Sequence, residues 1–122
     1  METNHTTTTP TERHNVGFPY KGGTYFFKPD QIIRLEADSN YTYIHLKGQK
    51  PILMAKVLAA YETLLQPFGF IRTHRSHLVN KHHILHIDHQ GQIVMDDESK
   101  AEISRRKRRE VFIALSESSH AA

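Results

Sequence analysis

The stretch from Phe70 to Asn80 reads FIRTHRSHLVN. Phe70 and Ile71 lead into it, and Leu78 and Val79 lead out. Between them lie Arg72, Thr73, His74, Arg75, Ser76 and His77, with no acid and no large apolar side chain. Strand-like flanks around a polar, basic middle predict a strand, a tight exposed turn and a returning strand. Such a turn projects two arginines and two histidines. A guanidinium donates hydrogen bonds as a planar fork, which suits phosphate oxygens and the edge of guanine. A merely solvated basic turn has the same composition, so a second feature must separate the two.

That feature is the run Arg105, Arg106, Lys107, Arg108, Arg109 directly after Ser104. Ser104 has the character of an N-cap, and Val111, Phe112 and Leu115 give the following helix, Arg105 to about Leu115, an apolar face. The first turn of a helix is already electropositive. Exposed cations there are unfavourable by about 0.3–1 kcal/mol each. A bound phosphate reverses the balance, because free N–H groups, helix dipole and guanidinium groups all meet one anion. Two basic elements, each beside a turn, predict a nucleic-acid surface. Neither is interleaved with aromatics of the kind that stack single-stranded bases, which favours duplex DNA. No helix-turn-helix or basic coiled-coil pattern is present, so loops must do the reading.

Other chemistries fare worse. His74, His77, His82, His83, His86 and His89 are close in sequence. Ile84, Leu85 and Ile87 make the segment around them strand-like, and residues three apart along a strand face opposite ways. No metal site is therefore expected. No Gly-rich phosphate loop, nucleophile elbow or convergent carboxylate pair is visible, so no enzyme and no cofactor are expected. Asp96, Asp97 and Glu98 read as a solvated turn.

The elements that must position these residues are mostly short strands. Lys21-Gly22-Gly23 predicts a turn before the aromatic strand Thr24 to Phe27, which Pro29-Asp30 ends. Ile32 to Ala37 and Tyr41 to Leu46 form a hairpin with its tip at Asp38, Ser39 and Asn40. Pro51 to Met54 returns as an edge strand. Val57, Leu58, Tyr61, Leu64 and Leu65 lie on one helical face, a packing helix stopped by Pro67. Asn80 caps a short turn through Lys81, His82 and His83. Strands over Ile84 to His89, Gln92 to Met95 and Lys100 to Ile103 follow.

The chain has 122 residues, 38% of them hydrophobic, enough for one domain of ordinary size. The absence of Cys excludes disulfides and thiolate zinc fingers and fits a reducing cytoplasm. The polar, Thr-rich start has no signal-peptide core, and no window approaches a membrane span. The expected organisation is a disordered tail over residues 1–20, a domain over 21–116 and a frayed end over 117–122. The net charge of +3 is modest and matters through its clustering.

The segments Ile32 to Leu46, Phe70 to Lys81 and Ile103 to Arg106 together resemble the LytTR DNA-binding domain, the output module of many bacterial response regulators. The resemblance spans about Gly22 to Leu115. It implies a mainly β fold: an elongated β-β-β sandwich of about ten short strands with one or two small helices. It implies a transcription regulator that inserts loops into major grooves of direct-repeat promoter sites, often as two copies. Matching positions make Asn40, Arg75 and Arg106 the base contacts. Arg72, His74, Ser76, His77, Asn80, Lys81, Ser104, Arg105, Lys107, Arg108 and Arg109 become backbone or supporting positions. A receiver domain or membrane segment usually accompanies this module and neither is visible, so a free-standing cytoplasmic regulator is the expectation, with a fragment of a longer one as the alternative. The rival from another class is a non-enzymatic interaction module whose basic loops bind an acidic protein partner.

Overall fold

The computed structural model describes residues 15–119. Among them are ten strands in three antiparallel sheets and two α-helices, joined by short 3-10 turns. The strands are β1 (Val16–Tyr20), β2 (Gly23–Phe27), β3 (Ile32–Asp38), β4 (Tyr41–Leu46), β5 (Ile52–Met54), β6 (Phe70–His74), β7 (His77–Asn80), β8 (Ile84–Ile87), β9 (Ile93–Met95) and β10 (Lys100–Ala101). The helices are α1 (Leu58–Leu65) and α2 (Arg108–Ser119). The central sheet has the order β5-β4-β3-β7-β6, flanked by the β1-β2 hairpin and by a sheet of order β10-β9-β8.

Alternation along the central strands, with a bulge at Ile33 that turns it to the face opposite Leu35, builds two cores, one on each face. Leu35 and Leu78 join Phe18, Phe27, Leu58, Tyr61 and Leu65 beneath β1-β2 and α1. Ile33 and Val79 join Ile93, Met95, Ala101, Ile103 and Val111 beneath the three-stranded sheet and α2. This is the β-β-β layering that the family resemblance implies, in the mainly β chain that the short strands predict.

Four local expectations need correction. Residues 16–20 belong to a strand and not to a tail: Val16 and Phe18 alternate inward, and Phe18 is fully buried against Tyr61. The Thr-rich residues before them mask this short period-two pattern, and residues 1–14 lie outside those described. The hairpin turns at Lys21 and Gly22, both at positive φ, 48° and 79°, a geometry that favours Gly at the second position. Helix α1 buries Leu58, Tyr61 and Leu65, while Val57 and Leu64 stay exposed, because a helix this short packs along a single stripe. In α2, Val111 is buried and Phe112 is exposed, since one sheet covers one side of the helix. The last strand stops at Ala101 and not at Ile103, because the backbone of Glu102 and Ser104 pairs elsewhere.

Candidate nucleic-acid interface

The Arg75 turn is built by a bulge. In β6 and β7, Phe70, Ile71 and Arg72 face Asn80, Val79 and Leu78, but His74 faces His77, so Thr73 is the extra residue. Thr73 is fully buried, and its hydroxyl donates to the Glu102 carbonyl at 2.8 Å. Its own carbonyl accepts from the Ser104 amide, also at 2.8 Å. These two bonds pull the segment before the Arg105–Lys107 turn out of the β10 ladder and against the β6–β7 turn. Thr73 is the positioning residue that sequence reasoning did not single out. A small polar side chain amid a basic run carries no distinctive signal.

The β3–β4 turn is brought to the same place. Glu36 lies opposite His77, and the Ala37 amide donates to the Ser76 carbonyl at 2.9 Å. The end of β3 therefore runs beside the start of β7. Three segments, carrying Asn40, Arg75 and Arg106, emerge at one end of the central sheet. Arg75 and Arg106 line a single cleft of about 680 Å³ with Arg72, His74, Ser104, Lys107, Glu62 and Glu110. Asn40 is exposed at that end and does not line the cleft. Ser39 beside it sits at φ 58°, which fixes the hairpin tip.

The sequence-predicted residues divide by how they are engaged. Arg72 donates to Glu62 at 2.7 Å, to the His74 carbonyl at 2.9 Å and to the Arg75 carbonyl at 2.7 Å. It braces the turn from inside. Glu62 went unnoticed in the sequence because the contact crosses from α1. Asn80 is buried; its side chain donates to the carbonyls of Pro29 and Ile32 and accepts from the His82 amide. Lys81 is half-buried and its amide bonds Gly69. Ser104 makes no side-chain cap bond, against expectation, and the basic run opens as a 3-10 turn over Arg105–Lys107 before α2 begins. Arg105, Arg106 and Arg109 are exposed, and Lys107 is half-buried at the cleft. Arg108 lies apart, beside Gly91 of the β8–β9 turn. Among the described residues, the guanidinium of Arg75, Arg105, Arg106 or Arg109 makes no hydrogen bond or ion pair. A charge left unpaired on a surface retains its full capacity for an external anion.

The histidines fall otherwise than their spacing implied. His74 and His77 do not lie along one strand; they are cross-strand partners, with ring centroids 5.4 Å apart. His74 accepts from the Ser76 amide at Nδ1, 3.0 Å, and turns Nε2 toward Glu102 at 3.3 Å. His77 is buried, and its Nδ1 has no hydrogen-bond partner among the described residues. Burial holds the His77 ring below its ordinary pKa. His83 is far from this end and bridges Asp96, at 2.7 Å, and the Asp30 carbonyl, at 2.6 Å.

Behind the turn, the central sheet's face becomes polar. Arg34 donates to Glu36 at 3.1 Å and to Ser99 at 3.0 Å, and His45 meets Glu36 at 3.2 Å. Burial works against the charge on Glu36, yet Arg34 and His45 beside it hold its carboxyl below the usual carboxylate value. Burial also lowers His45, with Arg34 adding to the effect and Glu36 opposing it.

Residues 22–116 match the family model of the LytTr DNA-binding domain. A solved structure, the LytTr DNA-binding domain of a Bacillus cereus protein described as a methyl-accepting/DNA response regulator, is 25% identical. The match covers 84% of this chain and 97% of that one, with a TM-score of 0.69. No curated protein matches the chain. Among the described residues, no helix is long and apolar enough to cross a membrane.

Proposed function

The chain belongs to the LytTr DNA-binding domain family, and from that premise we propose that it is a sequence-specific regulator of bacterial transcription acting on duplex DNA. Three loops at one end of the central sheet enter the major groove. Arg75 and Arg106 read guanine through O6 and N7, and Asn40 reads adenine. Arg105, Lys107 and Arg109 bind phosphates and fix the register on the duplex. Arg72, Thr73 and Ser104 hold these groups in place from behind, while Asn80 braces the far end of β7. Two copies occupy direct-repeat half-sites. The chain serves as a cytoplasmic output module, controlled by abundance, by a partner or by self-association on DNA.

The observation that carries this reading is the cleft shared by Arg75 and Arg106. The two residues are distant in sequence, exposed and without internal partners, and they are brought together by the Thr73 bulge. A bland surface does not need a buried threonine to hold two arginines side by side. The test is Arg75→Ala measured on a cognate site selected from a random duplex pool and on random duplex. The expected loss is about 1–3 kcal/mol on the selected site and little on random DNA. Equal loss on both makes Arg75 a phosphate contact.

A further inference from the structure

We propose that His74, His77 and Glu102 form a binding site for one zinc-class divalent ion, which ties the β6–β7 turn to the segment leading into α2. The inference goes beyond DNA recognition and stands independently of it. One ring nitrogen of each histidine and one Glu102 carboxylate oxygen lie within 4.8 Å of one another. The His74 Nε2 to Glu102 distance of 3.3 Å already matches the edge of a tetrahedron with metal bonds of about 2.0–2.1 Å. Two imidazoles and a carboxylate are the donor set that suits zinc and its neighbours, and three protein ligands leave a fourth position for water or another oxygen.

The frame is built before any ion arrives. His74 and His77 are held opposite each other by strand pairing, and the backbone of Glu102 is held by Thr73. His77 supplies a second, independent sign. It is 8% exposed, and its Nδ1 is buried without a partner. A buried polar atom of this kind calls for an explanation, and an ion is one of the few available. Glu102 is exposed and can swing inward to close the set.

Coordination has one local consequence. The Ser76 amide donates to His74 Nδ1, so the neutral ring carries its proton on Nε2. When Nε2 takes the ion, that proton leaves and Nδ1 becomes the protonated nitrogen. The Ser76 amide then loses its acceptor and turns to solvent at the half-buried tip.

The experiment is calorimetric titration of the full chain with zinc chloride at about pH 7.5, where neutral imidazole is the ligand. It is repeated on Glu102→Gln and His77→Phe, with circular dichroism to confirm folding. Glu102→Gln changes an exposed carboxylate and leaves the backbone bond from Thr73 intact, so it tests the site even if His77→Phe does not fold. The expected result is about one zinc per chain. Affinity should fall in Glu102→Gln by at least about 10- to 100-fold, the loss that even a supporting residue of a metal site produces. The expected spectroscopic sign is a zinc-dependent shift of the Ser76 amide resonance. Binding that is equally tight in Glu102→Gln, an unmoved Ser76 amide, or no stoichiometric binding would each overturn the proposal.

Discussion

The two ends of β7 hold similar residue types and put them to opposite uses. At one end, Asn80, Lys81 and His83 look as capable of meeting a ligand as anything in the chain. The structure instead directs two of them inward: Asn80 holds two carbonyls and an amide, and His83 holds Asp96 and the Asp30 carbonyl, while Lys81 is tied only through its amide to Gly69. At the other end, Arg75 is left without an internal partner beside Arg106. Polar composition alone does not mark a binding surface. What separates the ends is whether folding has already satisfied the polar groups, and the cost of unsatisfied buried groups decides which of them must be.

The strongest way to break this contrast is to cut the inward end. Asn80→Ala leaves two buried carbonyls and an amide without their partner. It should cost about 2–4 kcal/mol of stability in urea unfolding, while the folded fraction binds DNA normally. Arg75→Ala should do the reverse, leaving stability within about 0.5 kcal/mol and weakening the selected site by about 1–3 kcal/mol. If Arg75→Ala unfolds the protein, or if Asn80→Ala lowers the affinity of the folded chain as much as Arg75→Ala does, the division between the ends is wrong.

Arg72 sharpens the comparison, because it sits at the binding end and faces inward. Arg72→Ala should lose about 1 kcal/mol of stability. It should also lower site affinity by less than Arg75→Ala, through a loosened turn. Arg72→Lys should recover little of either, since an ammonium cannot replace a fork that bonds Glu62 and two carbonyls.

The smallest expected effect concerns pH. His45 has a folded pKa below its unfolded value, chiefly through burial. The unfolded chain therefore takes up the proton first, and stability falls as pH drops below about 6.5 toward the folded pKa. Melting curves in a chelating buffer from neutral to mildly acid pH should show this fall, and His45→Gln should make it shallower, with His77 and His82, also lowered by burial, carrying the remainder. An unchanged slope in the variant assigns the acid sensitivity to other groups.

Much of the fold was legible because alternation survives in short strands. Tyr41 to Leu46 alternates as its pattern requires, with Thr42, Ile44 and Leu46 buried. Strand β1 was hidden because Val16 and Phe18 stand beside a Thr-rich run, and two inward residues carry little signal. At the candidate site, the loops and the free arginines could be read from turn formers and charge clustering. The Thr73 bulge, the Glu62 brace and the pairing of His74 with His77 could not. Each depends on a contact between distant segments, or on the one-residue shift that a bulge introduces. For the same reason the opposite-face geometry of the Ile84–Ile87 strand does not extend to His74 and His77, between which the chain turns.

The most direct test of the central claim is selection of the protein's targets from a random duplex pool at roughly 150 mM salt, for the wild-type chain and for Arg75→Ala and Arg106→Ala. A short enriched motif is expected for the wild type, repeated in one orientation. Relaxed preference at separate base positions is expected in the two variants. Retention without enrichment, or an identical motif in all three proteins, would contradict that claim.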